Sequence, residues 1–221
     1  MTIFAFGDSI TYGNWDPKGG WVGRLRDYMD SKSLQAYSGE NLFSTYYTLT
    51  YNLGIPGDTS SGLLERFETE LIPRFNPDEL TIILFAIGIN DSRFYASTNE
   101  YETEPGIFQQ NIWDLWEIAK KYTSDVAFVG LSPVDEERTS PLSWETDAIY
   151  KNEYIEKYDD LIKEFCQTRK TPFIDIFGKM KGIDIKSLME DGVHPNQKGY
   201  KIMEEIIRSN LFEEGKNKDG K

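Results

Sequence analysis

Five short apolar runs alternate along this chain with longer stretches in which apolar side chains recur every three or four positions. The runs cover residues 2–6, 42–53, 80–87, 126–131 and 173–176, and each reads as a β-strand. The run at 80–87 is unbroken, as a central parallel strand buried on both faces requires. The run at 42–53 is rich in Tyr, Thr and Phe, and its strand is expected to end at Asn52. Between the runs, Trp21, Val22, Leu25, Tyr28 and Met29 predict a helix over 20–30, and Leu63, Leu64, Phe67 and Leu71 predict a second. Asp58 or Thr59 can cap that second helix. Pro105 suits the first turn of a third helix, which presents Phe108, Ile112, Leu115, Trp116 and Ala119 on one face. Tyr150, Tyr154, Tyr158, Ile162 and Phe165 predict a fourth over 148–169, with Cys166 as a small buried hydrophobe. Tyr200, Met203, Ile206, Ile207 and Leu211 predict the last. Strands alternating with helices at this rhythm indicate an α/β protein, a three-layer α/β/α sandwich around a five-stranded parallel sheet.

Two segments break the rhythm. Residues 92–104 form a polar, aromatic-bearing loop, and 132–147 a long acidic one whose Trp144 suggests a pocket wall. No Pro/Gly/Ser-rich linker divides the chain, so one domain is expected over 1–212, followed by a charged, frayed tail at 213–221.

Composition narrows the partners. Among 221 residues the net charge is −13, which disfavours nucleic acid, anionic membranes and polyanionic substrates, and favours neutral or cationic small molecules. One cysteine and one histidine allow no intrachain disulfide and no recognisable transition-metal cluster, so no metal or cofactor is expected. Strand-like sequence begins at Thr2, and no apolar run approaches 18 residues. A cytoplasmic protein without a signal peptide or membrane span is therefore expected.

The chemistry collects where strands empty into loops or helices begin. Gly7-Asp8-Ser9 follows the first run, Asn52 to Gly57 the second and Gly88-Ile89-Asn90-Asp91 the third, while Asp191-Gly192-Val193-His194 precedes the last helix. A serine hydroxyl needs a base within hydrogen-bond reach, and the base needs an acceptor that fixes its tautomer. His194 is the sole histidine, and Asp191 stands three residues before it. The Ser9 N–H, the Gly57 N–H and the Asn90 amide can supply donors to a developing oxyanion. Asp8 and Asp91 read instead as acceptors that stabilise their turns.

These four stretches resemble the sequence blocks of the SGNH, or GDSL, hydrolases, a family of esterases and lipases. Gly7-Asp8-Ser9-Ile10-Thr11 matches the nucleophile block and Asn52 to Gly57 the glycine block. Gly88 to Asp91 matches the asparagine block, and Asp191 to Pro195 the acid/base block. The resemblance implies a flavodoxin-like sheet and a serine esterase working through an acyl-enzyme. In that scheme Ser9 is the nucleophile, His194 the base and Asp191 its orienter, with Ser9, Gly57 and Asn90 forming the oxyanion hole. Gly-x-Ser-x-Gly is absent, which disfavours an ordinary α/β-hydrolase. Two alternatives stay open: acyl transfer to an alcohol or sugar, and an idle ligand-binding module on the same fold. Tyr12, Trp15, Ile55, Pro56, Phe94, Tyr95, Trp144 and Val193 are the candidate substrate-pocket residues, suited to a sugar ring or an acyl chain. Acetylated carbohydrates and short-chain lipid esters fit equally well.

Overall fold

The structure is a computed structural model that describes residues 1–37 and 47–212. The tail at 213–221 and the first five positions of the 42–53 run lie outside the described residues. The strands in chain order are β1 (Thr2–Gly7), β2 (Leu49–Gly54), β3 (Thr81–Ala86), β4 (Phe94–Tyr95), β5 (Glu100–Tyr101), β6 (Asp125–Val129), β7 (Ala148–Ile149) and β8 (Phe173–Ile174). Five of them form a parallel sheet ordered β2-β1-β3-β6-β8. The helices are α1 (Ser9–Tyr12), α2 (Gly20–Tyr37), α3 (Ser60–Leu71), α4 (Pro105–Ala119), α5 (Glu136–Thr139), α6 (Asn152–Arg169), α7 (Phe177–Met180) and α8 (Gln197–Phe212). α2 packs on α8, whereas α3 packs on α4 and α4 on α6. Helices thus cover both faces of the sheet, the three-layer arrangement expected from the alternating pattern. No helix among the described residues is long and apolar enough to cross a membrane.

Register builds an aromatic layer near the carboxyl ends of the sheet. Phe6, Phe85 and Phe128 are cross-strand partners on β1, β3 and β6, so their rings leave the same face of the sheet. Phe67 of α3 meets Phe6 at a centroid distance of 4.8 Å, and Phe165 of α6 meets Phe128 at 5.7 Å. Burying each such ring stabilises the fold by roughly 1.5–3 kcal/mol. This aromatic layer lies one residue below the point where β1 and β3 release their loops. The sheet also grows in opposite directions from there, to β2 on one side and β6 on the other. Such a switch point leaves a crevice at the strand ends.

Several boundaries differ from the sequence expectation. β2 runs on to Gly54 rather than ending at Asn52, and β8 covers only Phe173–Ile174. α2 continues past residue 30 to Tyr37, because the Ser31 and Ser33 hydroxyls bond back to the Asp27 and Met29 carbonyls instead of capping a terminus. α6 starts at Asn152, not 148, because Ala148 and Ile149 pair with Tyr95 and Phe94. The expected loop at 92–104 contains β4 and β5, which join β7 in a separate three-stranded antiparallel sheet.

Candidate active site

Sterics force the turn after β1. A Cβ on Gly7 would lie 2.2 Å from both the Ala86 carbonyl oxygen and Thr11 Oγ1, so only glycine fits there. Asp8 caps α1, its carboxylate accepting from the Ile10 N–H at 2.9 Å. Ser9 is the first helical residue, where the helix provides no internal partner for its N–H.

The stretch before α8 comes to meet it. His194 Nε2 lies 2.8 Å from Ser9 Oγ, and His194 Nδ1 lies 2.7 Å from Asp191 Oδ2. Asp191 Oδ1 accepts from the Val193 and His194 N–H groups at 3.0 and 2.8 Å, so the turn that presents the imidazole is closed by the carboxylate that holds it. Burial works against the Asp191 charge. The His194 ring and N–H, together with a hydrogen bond from Trp15, outweigh it and keep the carboxyl well below the usual carboxylate range. An ionised carboxylate only accepts, so Nδ1 carries the hydrogen and Nε2 turns its lone pair to the Ser9 hydroxyl.

The loops after β2 and β3 close the other side. The Ile55 N–H donates to the Gly7 carbonyl at 3.0 Å, and the Asn52 amide donates to the Thr11 carbonyl at 2.9 Å. Gly57 has φ +83, and a Cβ there would meet nothing within 4 Å, so its requirement for glycine is conformational. Asn90 is oriented by two bonds: its Nδ2 donates to the Asp58 carbonyl at 2.8 Å, and its Oδ1 accepts from the Tyr150 hydroxyl at 2.9 Å. That leaves the second Nδ2 hydrogen available to a ligand. Asp91 accepts from the Ser60 N–H and hydroxyl, fastening the third loop to the start of α3. Thr59 caps that helix.

The candidate pocket residues separate into groups. Tyr12 and Trp15 line an open hollow of about 480 Å³ bounded by residues 12–17, and Ile55 and Pro56 are exposed on the β2 loop. Phe94 packs on Tyr101 and Tyr154, and the Tyr95 hydroxyl donates to Glu102, so both hold the second sheet together. Val193 is buried in the core, and Trp144 is exposed. Other residues that shape the site carry no local sequence signal. Arg66 donates to the carbonyls of Gly7 and Leu53 and to the Asp58 carboxylate, tying the ends of β1 and β2 to the loop that carries Gly57. Tyr150 is another, reaching Asn90 across 60 positions. Part of the acidic 132–147 segment supports the histidine turn, where the Asp135 N–H donates to the Gly192 carbonyl and Arg138 to that of Glu190. Beneath Ser9, burial pushes the Asp8 carboxyl up to about 7 despite the Ile10 N–H and the nearby His194. Among the described residues, no group of three His, Cys, Asp or Glu side chains could hold a metal ion.

Residues 5–202 match the family model described as GDSL-like lipase/acylhydrolase. The isoamyl acetate-hydrolyzing esterase of Saccharomyces cerevisiae is 26% identical over 210 residues, which span 91% of this chain and 82% of that protein. A lipase/acylhydrolase from Enterococcus faecalis superposes with a TM-score of 0.69 at 22% identity, covering 95% of this chain and 94% of the other. An acetyl-xylooligosaccharide esterase from Geobacillus superposes with a TM-score of 0.71 at 16% identity, covering 96% and 94%. At these identities the two structures establish a shared fold.

Proposed function

The chain belongs to the GDSL-like lipase/acylhydrolase family, and from that premise we propose that it is a metal-free serine esterase with Ser9 as nucleophile, His194 as base and Asp191 as orienter. The observation that carries this reading is the unbroken hydrogen-bond chain Ser9 Oγ to His194 Nε2 and His194 Nδ1 to Asp191 Oδ2, which closes across 185 positions of sequence. Ser9 Oγ attacks the ester carbonyl as its proton passes to Nε2. The Ser9 N–H, the Gly57 N–H and the free Asn90 hydrogen receive the oxyanion. Collapse expels the alcohol, which takes the proton from the imidazolium. Water, deprotonated by the same nitrogen, then releases the acid and restores Ser9.

For substrate, we infer a small acetyl or short-chain ester of a neutral alcohol. The open hollow lined by residues 12–17, which meets the site through the Trp15 bond to Asp191, and its exposed Tyr12 and Trp15 residues suit an alkyl or sugar alcohol. The names of the yeast and Geobacillus relatives both describe action on acetyl esters. A panel of 4-nitrophenyl esters tests the reading. The kcat/KM is expected to be highest for acetate and to fall as the acyl chain lengthens, with Ser9→Ala inactive throughout. Rates that climb with chain length would overturn the short-acyl assignment, and an active Ser9→Ala would overturn the esterase mechanism.

A further inference from the structure

Trp15 has two features that a rim aromatic does not need. The residue is 62% exposed, yet its Nε1 donates to Asp191 Oδ2 at 2.8 Å, the same oxygen that accepts from His194. Its backbone is also left-handed, with φ +67, a conformation in which a Cβ crowds the following carbonyl oxygen. Such a conformation persists only where the surroundings over-determine it. The next residue supplies that restraint. The Asp16 side chain is fully buried and takes a bidentate grip from Arg24, with Nε to Oδ2 at 3.1 Å and Nη2 to Oδ1 at 3.1 Å. Arg24 also donates to the Gln197 carbonyl at the start of α8, three residues beyond His194. The loop bearing Trp15 and the helix following His194 are therefore pinned to one guanidinium.

Taking the esterase reading as its basis, we propose that Trp15 is a positioning residue for Asp191, held in its strained conformation by the Asp16–Arg24 pair. The indole N–H shares Oδ2 with His194 Nδ1, which restrains that oxygen from a second direction and draws off part of its charge. The hollow that would receive the alcohol group and the carboxylate that orients the base are then linked through one side chain.

Trp15→Phe keeps an aromatic ring and removes the N–H. It should lower kcat by about three- to tenfold, the size of one hydrogen bond, on top of any rise in KM from the smaller ring in the hollow. It should also move the acid limb of kcat/KM to higher pH, because a carboxylate relieved of one donor holds the imidazolium more tightly. The other groups facing this pair stay in place: Asp8 below it, Tyr200 from α8, Arg138 on the Glu190 carbonyl, and Asp16 with Arg24. Arg24→Lys retains the charge but loses the fork, and should shift kcat and the acid limb in the same direction by less. In the parent, the Trp15 indole N–H should exchange with solvent more slowly than that of exposed Trp144. A Trp15→Phe enzyme with unchanged kcat and acid limb, whether or not KM rises, would overturn the proposal, as would a Trp15 N–H exchanging as fast as that of Trp144. Ser9→Ala run alongside separates the outcomes: if it is inactive while Trp15→Phe matches the parent, the positioning role alone fails, and if it is active the esterase reading fails first.

Discussion

Two aspartates stand at the heads of two tight turns around the same serine, and their environments push their carboxyls in opposite directions. Asp8 accepts from the Ile10 N–H two residues ahead, with the Thr11 N–H also directed at it; Asp191 accepts N–H groups two and three residues ahead. Locally the two turns are near copies. Asp8, however, is only 2% exposed at the end of β1, and burial pushes its carboxyl up to about 7. Asp191 is also partly buried, but an imidazole, two backbone N–H groups and an indole hold it ionised. The number of directed donors, rather than depth alone, decides which carboxylate can steer a base.

The sharpest way to break this comparison is to neutralise each carboxyl in turn. Asp191→Asn should reduce kcat/KM by roughly 10⁴-fold, the loss seen in the best-studied serine triad, because the amide stabilises the wrong tautomer. Asp8→Asn preserves the cap to Ile10 and replaces a carboxyl whose charge burial already disfavours, so it should alter kcat/KM only a few-fold, equivalent to about 1 kcal/mol or less. Equal losses in the two variants, measured on one acetate ester, would erase the distinction. Asn90→Ala comes next: removing one oxyanion donor should cost about 10²–10³ in kcat. Tyr150→Phe, which frees the Asn90 amide to rotate, should cost about tenfold or less, in line with one hydrogen bond of about 1 kcal/mol.

The smallest effects are on stability. Asp159 shares the environment of Asp8 but lies away from the site. Burial pushes it up to about 7, although the Leu131 N–H donates to it at 2.7 Å. Between about pH 4 and 7, both Asp8 and Asp159 hold a proton in the folded chain that the unfolded chain has lost. Their contribution to stability therefore falls as pH rises through that window. Asp191 has the opposite sign, its contribution being complete above the unfolded carboxylate value and lost only in acid. Asp159→Asn retains the acceptor for Leu131 and should raise Tm at pH 8 but not at pH 5, by about 2–4 °C for each kcal/mol recovered. Thermal scans at the two pH values check this, and an increase at pH 5 alone would reverse the assigned charge states.

What the sequence revealed follows the range of the interactions involved. The five strands and the stretches around Ser9, Gly57, Asn90 and His194 were legible because their signals are local: an apolar run, a glycine that a turn demands, an aspartate three residues before a histidine. The second sheet was not, because β4, β5 and β7 are two residues long, too short to show an alternating pattern, and β7 joins β4 from some 50 positions away. Arg66, Tyr150 and the Trp15 to Asp191 bond escaped for the same reason, since each joins side chains to groups distant in the chain. The phenylalanines show the converse case. Phe94 reads as a rim aromatic from its loop position, but the strand pairing turns it onto Tyr101 and Tyr154.

The most direct test of the central claim is the rate at which an organophosphonate ester modifies the protein, mapped by mass spectrometry in the parent, Asp8→Asn and Asp191→Asn. Labelling of Ser9 alone is expected, at a rate close to the parent's in Asp8→Asn and slowed by orders of magnitude in Asp191→Asn, because reaction requires a serine activated through a correctly oriented imidazole. Label on another serine, or equal rates in all three proteins, would contradict the account.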